Sequence, residues 1–281
     1  MVFMIEVSLL IVHYNTPGLL RQTLKGIYRA SPTVKFEVIV VDNNPRMRVQ
    51  AMLEAEFPEV VCLVSSENIG FGRGMNKAME EATGRYLFVF NPDMILLPGA
   101  VEQLVQFMDA HPKVGMVGPR LSNPDGSLQH SAYRFMDPWV ILYRRIPFLR
   151  SLPFAKRSVE SYLMIGEDAS KIRDVDYILG AAMFVRREAL EEVGGFDPAF
   201  FVYFEDQDWC RRFWESGWRV VYYPLVNLIH YHRRETAQGG FLKQLFNPLT
   251  RIQIKSALYY YKKYPSRRHA THSGISSQDR T

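Results

Sequence analysis

The stretch FFVYFEDQDWCRRFW, residues 200–214, sets three carboxylates, Glu205, Asp206 and Asp208, directly behind a nearly unbroken aromatic run. Residues from Asp206 to about Glu215 read as a helix stopped at Gly217, which places the acids in its first turn. Acids there favour the helix dipole whatever else they do, and that suffices for Asp208. Glu205 and Asp206 ask for more, because adjacent acids repel and burial beside aromatic rings raises their pKa, the setting of a general base. A second constellation is NPD, residues 91–93, where Asn91 and Asp93 follow the apolar run YLFVF. Amide and carboxylate oxygens are hard donors suited to Mg2+ or Mn2+, ions that take one or two carboxylates and complete their shell with phosphates and water. The same three residues also make an ordinary turn. Farther on, VVYYPLVNLIHYH carries His230 and His232 on one side of a strand, as satisfied core residues or as metal ligands.

Two weaker signals lie upstream. Asp42, in VVDNNP, either accepts hydrogen bonds from a base or ribose or caps the helix that follows. In GFGRGMN the residues Gly70, Gly72 and Gly74 let the backbone pass close to a ligand with Arg73 aimed at its phosphates, or else form a glycine-rich helix entry. The spacing does not fit the dinucleotide-binding fingerprint.

These residues need a scaffold. Residues 5–12, 36–41, 60–64 and 86–90 are short β-branched or aromatic runs of the kind that form strands buried on both faces. Helical segments separate them, from Pro17 to about Ala30, Met47 to about Phe57, and Met75 to about Thr83. This alternation predicts an α/β fold with a mostly parallel central sheet flanked by helices, whose ligands gather at the carboxyl ends of the strands. Those ends are HYN, DNN, SSENIGFGRG and NPD, all polar. Beyond them come a helix over about 98–110, a strand and turn in VGMVGPRLSNPDG, an irregular aromatic and basic region over 133–170, and a strand with a helix from about Arg187 to Gly194. The expected organisation is one domain over 1–245, with a nucleotide half (1–93) and an acceptor half (94–245), then a basic helix and disordered tail over 246–281.

With 47% hydrophobic and 22% charged residues, the 281-residue chain has globular composition, which excludes a disordered or fibrous protein. Cys62 and Cys210 lack metal-like or redox-like spacing and read as free thiols of a reducing compartment. No run approaches the roughly 20 apolar residues of a spanning helix. The net charge of +5 is concentrated in 144–157, with five basic and no acidic residues, and 251–268, with six basic and none acidic. That points to local polyanion-facing or membrane-facing surfaces more than to a generally basic protein, and no nucleic-acid partner is expected. Helical spacing in 251–264 aligns Ile254, Ala257, Leu258, Tyr261 and Tyr264 beside Arg251, Lys255 and Lys262. The pattern fits either an interfacial helix on an anionic membrane or a helix packed on the domain, so the expected location is cytoplasmic and peripheral to the membrane.

Taken together, VSLLIVHYNTPGLLRQTL, EVIVVDNNP, ENIGFGRGMNKAMEEATGRYLFVFNPD, GAAMFVRREALEEVGGFDPAFFVYFEDQDWCRR and NLIHYH resemble the inverting family 2 glycosyltransferases of GT-A fold, and most of all the bacterial rhamnosyltransferases. The resemblance spans roughly residues 5–235. It implies that Tyr14, Asn15 and Asp42 hold the nucleotide, and that Asn68, Gly70, Arg73 and Asn91 lie along the donor. It implies a divalent metal, Mn2+ or Mg2+, on Asp93 and His230, with Asn91 replacing the first acid of the family's D-x-D motif. Asp206 is then the catalytic base with Glu205 beside it, and Gly180, Ala181 and Asp197 shape the acceptor site. The implied partners are a dTDP or UDP sugar, dTDP-rhamnose foremost, and a glycan or lipid-linked acceptor of envelope polysaccharide. A sugar-1-phosphate nucleotidyltransferase would show a glycine- and lysine-rich phosphate loop near the first strand, which HYNTPGLLRQ lacks. A basic-surface binding protein leaves the polar strand ends unexplained.

Overall fold

VSLLIVH and YLFVF are largely apolar, and every residue of both is buried. Such strands require cover on each face of the sheet, and the intervening helices supply it. The computed structural model describes residues 5–44, 46, 48–231 and 247–265. The first part runs β1 (Val7–His13), α1 (Pro17–Ala30), β2 (Phe36–Asp42), α2 (Gln50–Glu56), β3 (Val61–Val64), α3 (Phe71–Glu81), β4 (Tyr86–Phe90), β5 (Met94–Ile95) and α4 (Ala100–Ala110). It continues with β6 (Val114–Ser122), β7 (Leu128–Gln129), β8 (Ala132–Tyr133), α5 (Pro138–Arg145), α6 (Pro147–Arg150) and α7 (Pro153–Tyr162). Then come β9 (Arg173–Asp174), β10 (Tyr177–Ile178), β11 (Ala182–Arg186), α8 (Arg187–Val193), α9 (Glu205–Glu215), β12 (Arg219–His230) and α10 (Pro248–Lys263).

The main sheet has the order β3-β2-β1-β4-β11-β6-β12-β5. Strands β1 to β4 are mutually parallel, β11 runs antiparallel between β4 and β6, and β12 is parallel to β6. The chain leaves β1 toward β2 on one side and returns to β4 on the other, so a crevice opens at the carboxyl ends of β1 and β4, the switch point where α/β sheets bind ligands. Side chains alternate between two cores. Leu9, Ile11, Phe88 and Phe90 pack under α1 and α4, while Leu10, Val12, Leu87 and Val89 pack under α3, α8 and α9.

Three local expectations need correction. Helix α3 begins at Phe71 rather than near Met75, so the glycines form its first turn. Glycine disfavours a helix by propensity, but here packing decides, since a Cβ on Gly74 would stand 2.9 Å from the Val12 side chain. The region 133–170 is not irregular; it holds α5, α6 and α7, each with a proline at its first turn. In α10 the residues Ala257 and Tyr260 are buried against Phe200 and Phe204, with Tyr261 and Tyr264 packed beside them, so the proposed stripe is split and Ile254 and Leu258 face outward. His232 and the tail from Ser266 lie outside the described residues.

Candidate active site

At the switch point the strand ends are cross-braced by side-chain amides. Asn43 donates to Asn68 Oδ1 at 3.0 Å and to the Gly70 carbonyl at 3.1 Å, and accepts from the Ile69 N–H. Asn44 donates to Asn15 Oδ1 at 2.6 Å. Gly70 has φ +86°, and a Cβ there would collide with the Phe201 carbonyl, so only glycine lets the loop after β3 touch the loop before α9. Tyr14 is exposed at the mouth of the crevice, where its ring can lie against a nucleobase.

Asp42 does not line the crevice. It is fully buried, its oxygens accepting from the backbone of Asn44 and Val49 and from His13 Nδ1 at 3.3 Å. Because the Thr16 N–H donates to His13 Nε2, the His13 proton sits on Nδ1, and burial lowers the imidazole pKa so that it stays neutral. Asp42 therefore braces the ends of β1 and β2 from behind. Arg73 is likewise engaged, donating to the Pro198 carbonyl at 2.9 Å.

Beyond β4 the chain delivers Asn91 to the cavity, its N–H bonded to the Ala181 carbonyl at 3.0 Å, and turns through Asp93. The end of β12 brings His230 Nε2 to 3.2 Å from Asp93 Oδ1. That oxygen is buried without a hydrogen bond, and His230 Nδ1 is occupied by Gln129 Oε1 at 2.8 Å. An orphaned carboxylate oxygen beside an imidazole nitrogen, with the ring oriented by an amide, suits two ligands of a divalent cation. Among the described residues no group of three or more His, Cys, Asp or Glu could hold a metal, so the rest of a shell would come from phosphate and water.

Opposite stand the acids of α9. Tyr203 and Phe204 have φ of 70° and 71°, consecutive left-handed residues without glycine, each costing roughly 1–3 kcal/mol and held only because the surroundings over-determine them. Ser256 Oγ grips the Val202 carbonyl, and Phe204 packs on Tyr260. The twist turns Glu205 and Asp206 into the cavity. Asp206 accepts from the N–H of Gly180 at 3.1 Å and of Gln207 at 2.8 Å. Burial pushes both carboxyls above their ordinary values; the Asp206 charge adds to the rise at Glu205, whereas the two backbone donors hold Asp206 back. The backbone donors favour the charged form of Asp206, whereas burial and the neighbouring charge favour the protonated form of Glu205. Glu205 Oε2 is buried without a hydrogen bond.

Between these acids and His230 lies a cavity of about 360 Å³. Tyr133, Tyr162 and Tyr177 line its far wall, the first stacked on the other two at ring-centroid distances of 5.2 and 5.0 Å, and the hydroxyls of Tyr162 and Tyr177 are 2.6 Å apart. Gly180 and Ala181 line it as the sequence suggests, but Asp197 does not. Asp197 pairs with Lys263 at 2.7 Å and accepts from Tyr259, so it anchors α10 instead. The tyrosine wall, Gln207, Arg144 and Gln253 were not legible as site residues, because elements far apart in sequence bring them together.

A family model described as "Glycosyltransferase like family 2" matches residues 6–253. The chain belongs to this family. An N-acetylglucosaminyl-diphospho-decaprenol L-rhamnosyltransferase of Mycobacterium tuberculosis is 29% identical over 210 residues, covering 70% of this chain and 65% of the relative, just under two thirds of its length. The rhamnosyltransferase WbbL of Escherichia coli K12 is 22% identical over 240 residues, covering 80% and 81%. Among solved structures, GalNAc-T7 with UDP, GalNAc and Mn2+ aligns at a TM-score of 0.61 and 15% identity, over 93% of this chain and 51% of that one. The mannosyltransferase PcManGT from Pyrobaculum calidifontis, with GDP-Man and Mn2+, aligns at 0.55 and 17% identity, over 93% and 76%. These likenesses show the fold, which is GT-A.

Proposed function

We propose that this family 2 glycosyltransferase moves a sugar, with inversion, from a nucleotide donor to a hydroxyl of a glycan or lipid-linked acceptor in envelope polysaccharide synthesis. The observation that carries the reading is the pairing across one cavity of His230, with Asp93 3.2 Å behind it, and a buried acid dyad, Glu205 and Asp206. In this reading Tyr14, Asn15, Asn68, Gly70 and Asn91 border the donor, while Asp42 and Arg73 brace the loops that hold it. Asp93 and His230 would hold a Mn2+ or Mg2+ ion, which when bound supplies positive charge to the leaving diphosphate.

The chain's own groups do the rest. Asp206, ionised and aimed by the Gly180 and Gln207 N–H groups, takes the proton of the acceptor hydroxyl as its oxygen attacks the anomeric carbon. Glu205, kept neutral, adds no second charge beside the base. The tyrosine wall stacks on the acceptor ring, and the floor at Gly180 and Ala181 leaves it room. Attack opposite the leaving group needs no covalent intermediate on the enzyme. Rhamnose carried by dTDP is the favoured donor, supported by the two relatives named as rhamnosyltransferases.

A panel of dTDP and UDP sugars, each with Mn2+ and scored first by thermal stabilisation and then by transfer, tests the reading. Stabilisation by a dTDP sugar and transfer with inverted anomeric configuration support it. A retained configuration, or no sugar nucleotide bound, overturns it.

A further inference from the structure

The mouth of the cavity opens between two elements that carry the most unusual surface of the molecule. Arg144 of α5 and Gln253 of α10 both line the cavity, and the Tyr261 hydroxyl bonds the Met136 carbonyl just before α5, so α5 and α10 border the opening together. On the α5–α7 side, Trp139, Leu142, Phe148 and Phe154 are 52%, 40%, 73% and 58% exposed. Soluble surfaces scatter single apolar side chains, but four large ones within 16 residues form a patch that asks for a partner. Residues 138–157 contain five basic and no acidic residues, with Lys156 and Arg157 exposed.

The outer flank of α10 continues the pattern. Ile254 and Leu258 sit seven and three residues before Tyr261, hence on the flank that faces α5, and are 43% and 68% exposed. Arg251, Lys255 and Lys262 are exposed beside them. Aromatic and aliphatic tips set among cations, with Glu160 the single acid of α5–α7 and 3.8 Å from Lys156, complement an apolar layer beneath anionic headgroups better than they complement a folded protein surface.

We propose that α5–α7 and the outer flank of α10 form one surface that seats on an anionic lipid bilayer, with the cavity opening toward it. The purpose of the seat, though not its existence, rests on the lipid-linked acceptor reading above, since a sugar carried by a membrane lipid would enter the cavity from that side. This extends the membrane-facing helix expected over 251–264, whose tyrosines largely face the domain, to a surface centred on the hairpin that holds the basic stretch 144–157.

Co-sedimentation of the full chain with vesicles tests it. Phosphatidylglycerol-containing vesicles are expected to bind at least about tenfold more tightly than pure phosphatidylcholine, with the difference shrinking as salt rises. Phe148→Ser with Phe154→Ser should weaken binding about tenfold, and Lys156→Glu with Arg157→Glu should erase the lipid preference. All four positions are exposed, so circular dichroism and transfer to a soluble acceptor should stay as in the parent chain. Wild-type protein that ignores the vesicles, or dimerises through these residues instead, overturns the proposal, as does binding unchanged in both double variants. Vesicle binding lost in the variants upholds the surface even where no transfer is detected. Intact transfer without vesicle binding sinks the surface and leaves the enzymatic reading standing.

Discussion

Helix α9 buries acids on two sides, and the two sides treat them oppositely. Toward α10, Asp208 is fully buried yet saturated, with Arg212 Nε at 2.9 Å, Lys263 Nζ at 2.7 Å and the Tyr264 hydroxyl at 2.9 Å. Toward the cavity, Glu205 and Asp206 have no ion pair among the described residues, and their carboxyls are pushed up by burial. A buried charge that is paired holds a structure together, whereas one left unpaired costs stability and persists when chemistry needs it. The first turn of one helix therefore carries both a structural anchor and the dyad proposed to be catalytic. The anchor serves the dyad, because Lys263 also grips Asp197 and so ties α10 to both ends of the loop that turns Glu205 and Asp206 into the cavity.

Substitutions should separate the two sides. The largest effect is expected at the base, where Asp206→Asn should lower transfer by roughly 10²–10⁴-fold in steady-state assays. Asp93→Ala should follow, weakening the Mn2+-dependent binding of nucleoside diphosphate along with turnover, as titration calorimetry would show. On the anchoring side, Lys263→Met should cost about 1–3 kcal/mol in urea unfolding, because it strips charged hydrogen bonds from two carboxylates. Its pH dependence has a defined sign. Burial raises the Asp197 carboxyl, but Lys263 and the Ala199 N–H bring it below its ordinary 3.8, so its contribution is present above that pH and lost as pH falls through the folded value. Lys263→Met should shrink this acid-labile part.

Glu205 carries a pH dependence of the opposite sign. Its folded pKa lies above the ordinary 4.5, so the folded state holds a proton that the unfolded chain releases, and stability declines as pH rises from there to the raised value. Glu205→Gln lacks this decline and should gain on the parent by up to about 1.4 kcal/mol per pH unit in that window. Melting temperatures at pH 5 and pH 7 would show it, and a constant difference between them would refute it.

Residues 1–93 were legible because their strands are largely apolar runs with polar ends, and α1 was bounded correctly by Pro17 and the stop after Ala30. Residues 133–170 were not, since α5–α7 are too short for a helical period to stand out, although Pro138, Pro147 and Pro153 marked their starts. Asp42 and Asp197 have partners that the sequence did not show, for one physical reason. A carboxylate at an element's end can spend its lone pairs on its own protein, and composition does not show which donors will surround it. The Gln129 to His230 bond joins residues 101 apart and needed the fold to appear.

The central claim is tested most directly by Asp206→Asn and Asp208→Asn measured together, with calorimetric titration of the nucleoside diphosphate and Mn2+ beside steady-state transfer. The account expects Asp206→Asn to fold and bind donor as the parent does while transfer collapses, and Asp208→Asn to lose stability while its folded fraction still turns over. An Asp206→Asn enzyme that keeps most of its activity, or loses donor affinity as Asp93→Ala does, would contradict it.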